Sequence, residues 1–91
     1  MPTAPVPSPL LSSEDVVALR ERIDVVDAEI LRLVVERSEV SARIGAARRA
    51  AGGPRIVHAR ENEVVRRWRD ELGRPGAAIA MALLELGRGP A

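Results

Sequence analysis

The chain has 91 residues, of which 14 are basic and 13 acidic, giving a formal charge of +1, with no cysteine and a single histidine. This excludes disulfide staples and a Cys/His zinc site, and it offers no charge excess for gripping nucleic acid through its phosphates. A chain of this size forms one domain at most and struggles to bury enough apolar surface alone, so association with a further chain is the remaining staple.

Every basic residue is arginine, and the composition leans on Ala, Arg, Gly, Pro and Val. We read the missing lysine as mutational bias toward GC-rich codons, so the position of an arginine is informative and the number of arginines is not. No apolar run is long enough to span a bilayer, and no basic-then-apolar export signal opens the chain. A cytoplasmic protein without a membrane or nucleic-acid partner is expected.

Residues 1–13, "MPTAPVPSPLLSS", are rich in proline and serine. Each proline removes a backbone donor and restricts the residue before it, so a disordered tail is expected here, followed by a helical domain over 14–91. In "SSED", Ser12 or Ser13 is placed to cap a helix, with Glu14 and Asp15 complementing the dipole of its first turn.

From Val16 the apolar residues recur in threes and fours: Leu19, Ile23, Val26, Ile30, Leu33, then Val40, Ile44 and Ala47. This predicts one helix of roughly 35 to 40 residues, stopped at Gly52-Gly53-Pro54. A seam sustained over about five heptads packs against other helices. At ~1.5 Å per residue such a rod reaches about 55 Å, so it is expected to protrude and to be covered by a partner chain.

After the turn, "ARENEVVRRWRDEL" predicts a second helix with Val64, Val65, Trp68 and Leu72 inward, broken by "GRPG". A third helix is expected from about Ala77 to Leu86, using Ile79, Met81, Leu83, Leu84 and Leu86, and ending at Gly87. No strand-like alternation occurs. The expected fold class is all-α, one long and two shorter helices per chain, in a dimer.

Several residues do not fit packing. Between Leu33 and Val40 the seam position is Arg37, and an unpaired charge buried there would cost several kcal/mol. Arg37 either pairs with an acidic neighbour, lies beyond the packed part, or marks a site. Arg48 lies eleven residues on, close to three whole turns, so both project from nearly one face about 16 Å apart and can frame a small anion. Arg20 lies about 100° around the helix from Arg37, so if it joins any site, that site is expected to be a different one from that of its own Arg37, or the partner's. The turn "GGPRIVHARE" adds Arg55, His58, Arg60 and Glu61. Glu61 can accept a ligand hydroxyl or simply pair with an arginine and cap the second helix. A lone histidine is more often a surface residue than a catalyst, and the arginines of "RRWR" are flanked by acids, as on a solvated mixed face.

The stretch "LRERIDVVDAEILRLVVERSEVSARIGAARR", then "GGPRIVHARE", then "LELGRG", resembles the all-helical chorismate mutases, in particular their short intracellular actinobacterial type. The resemblance implies an intertwined homodimer whose two sites each draw on both chains. It implies the cofactor-free rearrangement of chorismate to prephenate, on the way to phenylalanine and tyrosine. In that light Arg37 and Arg48 match the family's cationic residues from one chain, with Arg48 at a carboxylate and the ether oxygen. Arg20 matches the arginine supplied by the other chain, Arg60 a residue that binds or orients near the substrate, and Glu61 the acceptor of the ring hydroxyl.

Two departures accompany it. Val57 stands where many relatives carry an aspartate that contacts the ligand hydroxyl, and the third helix has no glutamine near the ether oxygen, Glu85 being its only polar residue before Gly87. Modest intrinsic activity is expected. The short actinobacterial members are described as activated by 3-deoxy-D-arabino-heptulosonate-7-phosphate (DAHP) synthase through their C-terminal segment and turn, so the same partner is expected here. The rival readings are an isochorismate pyruvate lyase on the same fold and a non-catalytic helical adaptor.

Overall fold

The computed structural model of the chain describes residues 10–53 and 57–89, and among them it contains three α-helices and no strand. Helix α1 spans Ser13–Ala50, α2 His58–Leu72 and α3 Arg74–Arg88. By its internal contacts the chain divides into two units, Met1–Arg32 and Leu33–Ala91, so the division falls within α1. Of the tail expected over 1–13, residues 1–9 lie outside the described residues.

Helix α1 starts as its sequence dictates. Ser12 is the cap: its Oγ accepts the Asp15 backbone N–H at 3.1 Å, while Asp15 Oδ2 accepts the Ser12 N–H at 2.9 Å. This reciprocal box satisfies two donors that the first turn leaves without partners. Hydrogen bonding to the carboxylate, from the Ser12 backbone first and then from the Ser12 side chain, holds the Asp15 carboxyl below its ordinary value. Further along, Arg32 closes on Glu29 through two bonds, Nη2 to Oε1 at 2.6 Å and Nε to Oε2 at 3.1 Å, and hydrogen bonding from Arg32 lowers the Glu29 carboxyl. Exposed pairs at this spacing contribute little to stability.

The helix ends in a Schellman motif. Gly52 adopts φ 77°, its N–H donates to Arg49 O at 3.0 Å, and the Gly53 N–H donates to Arg48 O at 2.8 Å. The left-handed conformation is open to glycine without steric penalty, and the two bonds satisfy carbonyls the helix leaves over.

No residue of α1 is buried in the single chain. Val16, Leu19, Ile23, Val26 and Ile30 are all exposed, Ile23 by 57%. A buried side chain of this kind contributes about 1.5–3 kcal/mol, so each half-exposed one leaves on the order of 1 kcal/mol of stabilisation unrealised.

In the C-terminal unit, α2 and α3 pack against each other. One glycine joins them: Gly73, φ 73°, ends α2 by donating its N–H to Arg69 O at 2.7 Å and serves as the N-cap of α3. The buried face of α3 is Gly76, Ala77, Ala80, Leu83 and Gly87, and Val64 is its buried counterpart on α2. Small residues let the two axes approach closely: a Cβ on Gly76 would overlap the Trp68 carbonyl and the Leu72 Cβ.

These contacts correct three expectations. Helix α3 begins at Arg74 rather than about Ala77, because Pro75 sits in the first turn, where its missing N–H costs nothing. It continues through Gly87 to Arg88, and Gly89, φ 77°, is the terminator, with its N–H on Leu86 O at 3.1 Å. The inward set is also narrower than apolar character suggests. Leu72 is 55% exposed and Met81 63%, Ile79 and Leu86 are exposed as well, and Trp68 is half-buried, because the close-packed face was taken by small residues instead.

Candidate active site

Within the C-terminal unit, the second half of α1, the start of α2 and the end of α3 surround a cavity of about 340 Å³, at the lower end of small-molecule sites. Five arginines line it, Arg37, Arg48, Arg49, Arg60 and Arg88, against one acid, Glu61. In a chain whose total charge is +1 this is a local excess of four positive charges. Such a hollow favours a small, multiply charged anion.

Arg37 is half-buried, and its Nη1 donates to the Leu83 carbonyl of α3 at 3.3 Å. Its place in the seam is thus met by a backbone oxygen and not by an acidic neighbour, which commits one of the five guanidinium donors. That contact requires α3 to lie near α1 at this level, and Gly87 permits it: a Cβ there would stand 2.5 Å from Ser41 Oγ and 2.9 Å from Ser41 Cβ.

Arg48 is half-buried in the last turn of α1, where a cation also complements the helix dipole. Its aliphatic stem lies against the turn, since a Cβ on Gly53 would meet Arg48 Cγ at 2.9 Å. The helix stop and the orientation of the arginine are therefore one feature.

Glu61 lies in the first turn of α2, where a carboxylate is favoured by the dipole. Its Oε1 accepts from Arg88 Nη2 at 2.5 Å, with side-chain exposures of 19% for Glu61 and 37% for Arg88. It does not cap α2, whose N-cap position is Val57 with no side-chain bond. Arg60 is more open, with a 3.7 Å contact to Glu63 that geometry and solvent make weak. Val57 adds an apolar wall.

Of the residues singled out from sequence, Arg37, Arg48, Val57, Arg60 and Glu61 line this one cavity. Arg20 does not; it is an exposed residue of the N-terminal unit. His58 and Glu85 are exposed and do not line the cavity, and Arg55 lies outside the described residues. Sequence reasoning gave no role to Arg49 or Arg88. Arg88 carried a signal, since it stands in the quoted "LGRG", but nothing local ties it to a glutamate 27 positions away. Among the described residues no cluster of metal-ligating side chains occurs, and no helix is long and apolar enough to cross a membrane.

Residues 19–83 match the family described as chorismate mutase type II. The intracellular chorismate mutase of Mycobacterium tuberculosis is 58% identical over 71 residues, 78% of this chain and 67% of that relative. That of Mycolicibacterium smegmatis is 52% identical over 71 residues, 78% of this chain and 68% of its own. A chain from the solved non-covalent complex of DAHP synthase and chorismate mutase from Corynebacterium glutamicum, with bound transition state analog, superposes with a TM-score of 0.82 at 40% identity, covering 86% of this chain and 94% of that one. With an arginine-lined cavity, an all-helical fold and relatives of this similarity, the chain belongs to the type II chorismate mutase family.

Proposed function

We propose that the Arg37–Arg48 cavity is where this chorismate mutase isomerises chorismate to prephenate, and that residues 14–91 act as one functional domain of a homodimer. The observation that carries the reading is the five-to-one excess of arginine over acid around a single small cavity, with Arg37 and Arg48 on one face of α1. Chorismate is a dianion, and its rearrangement breaks an ether bond while a carbon–carbon bond forms, with negative charge growing on the ether oxygen. No proton need be moved and no covalent intermediate forms.

Two tasks follow for the chain. The substrate must be held in the compact conformer that brings the reacting carbons together, and fixing a reactive geometry of this kind lowers a barrier by several kcal/mol. A cation must also face the ether oxygen. Arg48 has that role, with one carboxylate shared between it and the donors Arg37 keeps beyond its Leu83 bond; arginine suits both because it remains charged and binds carboxylates through two parallel bonds. Arg60 orients the substrate from the turn, and Glu61 accepts the ring hydroxyl. Arg20 enters from a second copy of the chain, whose α1 covers the apolar seam left exposed in the monomer.

Like the Corynebacterium relative, which is found in complex with DAHP synthase, this chain is proposed to bind that enzyme in the cytoplasm and to gain activity from it. The absence of a turn carboxylate at Val57 supports low activity in isolation. The test is the ultraviolet loss of chorismate by the purified chain, alone and with the cognate synthase, with prephenate as expected product. Pyruvate released from isochorismate in place of prephenate would establish the lyase instead, and no turnover of either would leave an adaptor.

A further inference from the structure

We infer that the Ser41 hydroxyl is a further substrate-binding group: it donates to the carboxylate that Arg37 takes, at a point beside α3 that Gly87 leaves uncovered. The inference rests on the reading of this cavity as the chorismate site.

Two serines lie one turn apart on α1, and their hydroxyls are used differently. Ser38 donates its Oγ–H to the Val34 carbonyl at 2.9 Å, a common bond for a serine inside a helix. Ser41 is half-buried and lines the cavity. Among the described residues its hydroxyl has no hydrogen-bond partner. No sealed side-chain oxygen among those residues goes unbonded, so the Ser41 Oγ keeps access to the hollow. An uncommitted donor on the wall of a cationic cavity is open to an anion.

Arg37 stands one turn before Ser41 on the same face of α1. A Cβ on Gly87 would lie 2.5 Å from Ser41 Oγ and 3.8 Å from Arg37 Nη1. The two donors therefore flank one point, which any side chain at position 87 would fill. Gly87 thus serves the site twice, by letting α3 approach α1 and by leaving the hydroxyl uncovered. Arg37 gives one N–H to the Leu83 carbonyl, and a guanidinium has five. A carboxylate beside Gly87 can accept from Arg37 with one oxygen and from Ser41 with the other. A neutral donor suits this place, because a second cation one turn from Arg37 would meet like-charge repulsion.

The experiment compares steady-state turnover of chorismate by the full chain and its Ser41→Ala variant, with a thermal melt as the check on folding. Alanine removes a single oxygen and is the best helix former, so Tm should move by no more than about two degrees. KM should rise roughly tenfold while kcat changes less than about twofold, as for a bond to a charged group made equally in the bound substrate and the transition state. Ser41→Cys, a weak donor, should fall between the two, and it carries the same comparison if the alanine variant folds poorly. In an Arg37→Gln background, Ser41→Ala should add less than about twofold, since the two groups share one carboxylate. An unchanged KM in Ser41→Ala overturns the inference. So does an undiminished loss in the Arg37→Gln background, which would put the hydroxyl on another part of the substrate. A fall in kcat with KM unchanged also overturns it, because the hydroxyl would then face the bond that breaks. If the parent chain turns over no chorismate, the reading of the cavity itself fails, and the inference with it.

Discussion

The two units of this chain put similar residues to different use. In the N-terminal unit, α1 carries a regular apolar seam from Val16 to Ile30, yet every member of it is exposed, and local side-chain bonds join Ser12 with Asp15 and Glu29 with Arg32. In the C-terminal unit the buried face is built from glycine, alanine and single branched residues, and side chains reach across elements, Arg37 to Leu83 and Arg88 to Glu61. An apolar pattern alone therefore does not say what is inside. Most of a helix's stability in a protein comes from packing its apolar face, so the seam requires a cover that the described residues of the single chain do not supply, whereas the small-residue face closes on itself and, in closing, shapes a cavity.

If the cavity is the site, the largest effect belongs to Arg48. Arg48→Ala should lower kcat/KM roughly a thousandfold, the order seen when one group that stabilises charge in a transition state is removed, with oligomeric state unchanged by sedimentation. A loss of less than about tenfold would place the chemistry elsewhere.

A smaller effect is expected at the close approach of α3 to α1. In Gly87→Ala the added methyl meets the Ser41 Cβ, which cannot rotate away, so the helices must separate and the 3.3 Å bond from Arg37 to Leu83 must lengthen. Overpacking of this kind costs about 1–3 kcal/mol. Thermal melts at fixed chain concentration should show it as a Tm lower by several degrees, and Ser41→Gly should relieve part of it. No change in Tm would mean that the approach is not needed.

The smallest effect lies at the start of α1. The Asp15 carboxyl is held below its ordinary value of 3.8 by its bonds to Ser12. A folded-state value that is depressed stabilises the helix start above the ordinary Asp range, and this contribution is lost as pH falls through the lowered value. Asp15 is fully exposed, so the effect is slight. Far-ultraviolet dichroism followed from pH 6 downward should show Asp15→Asn losing a small acid-dependent part of the transition; an unchanged profile would show that the box contributes nothing.

How much of this the sequence disclosed follows the same division. Local signals were readable: the capping serine, the helix stop at the double glycine, the seam, and Arg37 as a charge out of place, each set by residues within a turn or two of one another. The ends of α3 were not, because Pro75 and Gly76 read as a break until α2 is known to lie against them, and Gly87 read as a terminator although it serves close packing. Hydrophobicity places Ile79, Met81 and Leu86 inward, yet they are exposed, since it does not say which face meets a neighbour. Arg37 and Arg48 stand out by helical phase and family pattern, and Arg60 and Glu61 by family pattern, and all four line one cavity. The partner of Glu61 was not, for no sequence period links Arg88 to it.

The central claim is that the arginine cavity of one chain works together with Arg20 of another, and a mixing experiment addresses it most directly. Arg20→Ala and Arg48→Ala proteins are each prepared, then unfolded, mixed in equal amounts and refolded. Half of the resulting dimers pair the two variants, and each of these holds one site with both arginines intact. The account predicts that the mixture recovers roughly a quarter of the parental rate of chorismate loss, well above either variant alone. A mixture no more active than its components, with heterodimers demonstrably formed, would contradict it.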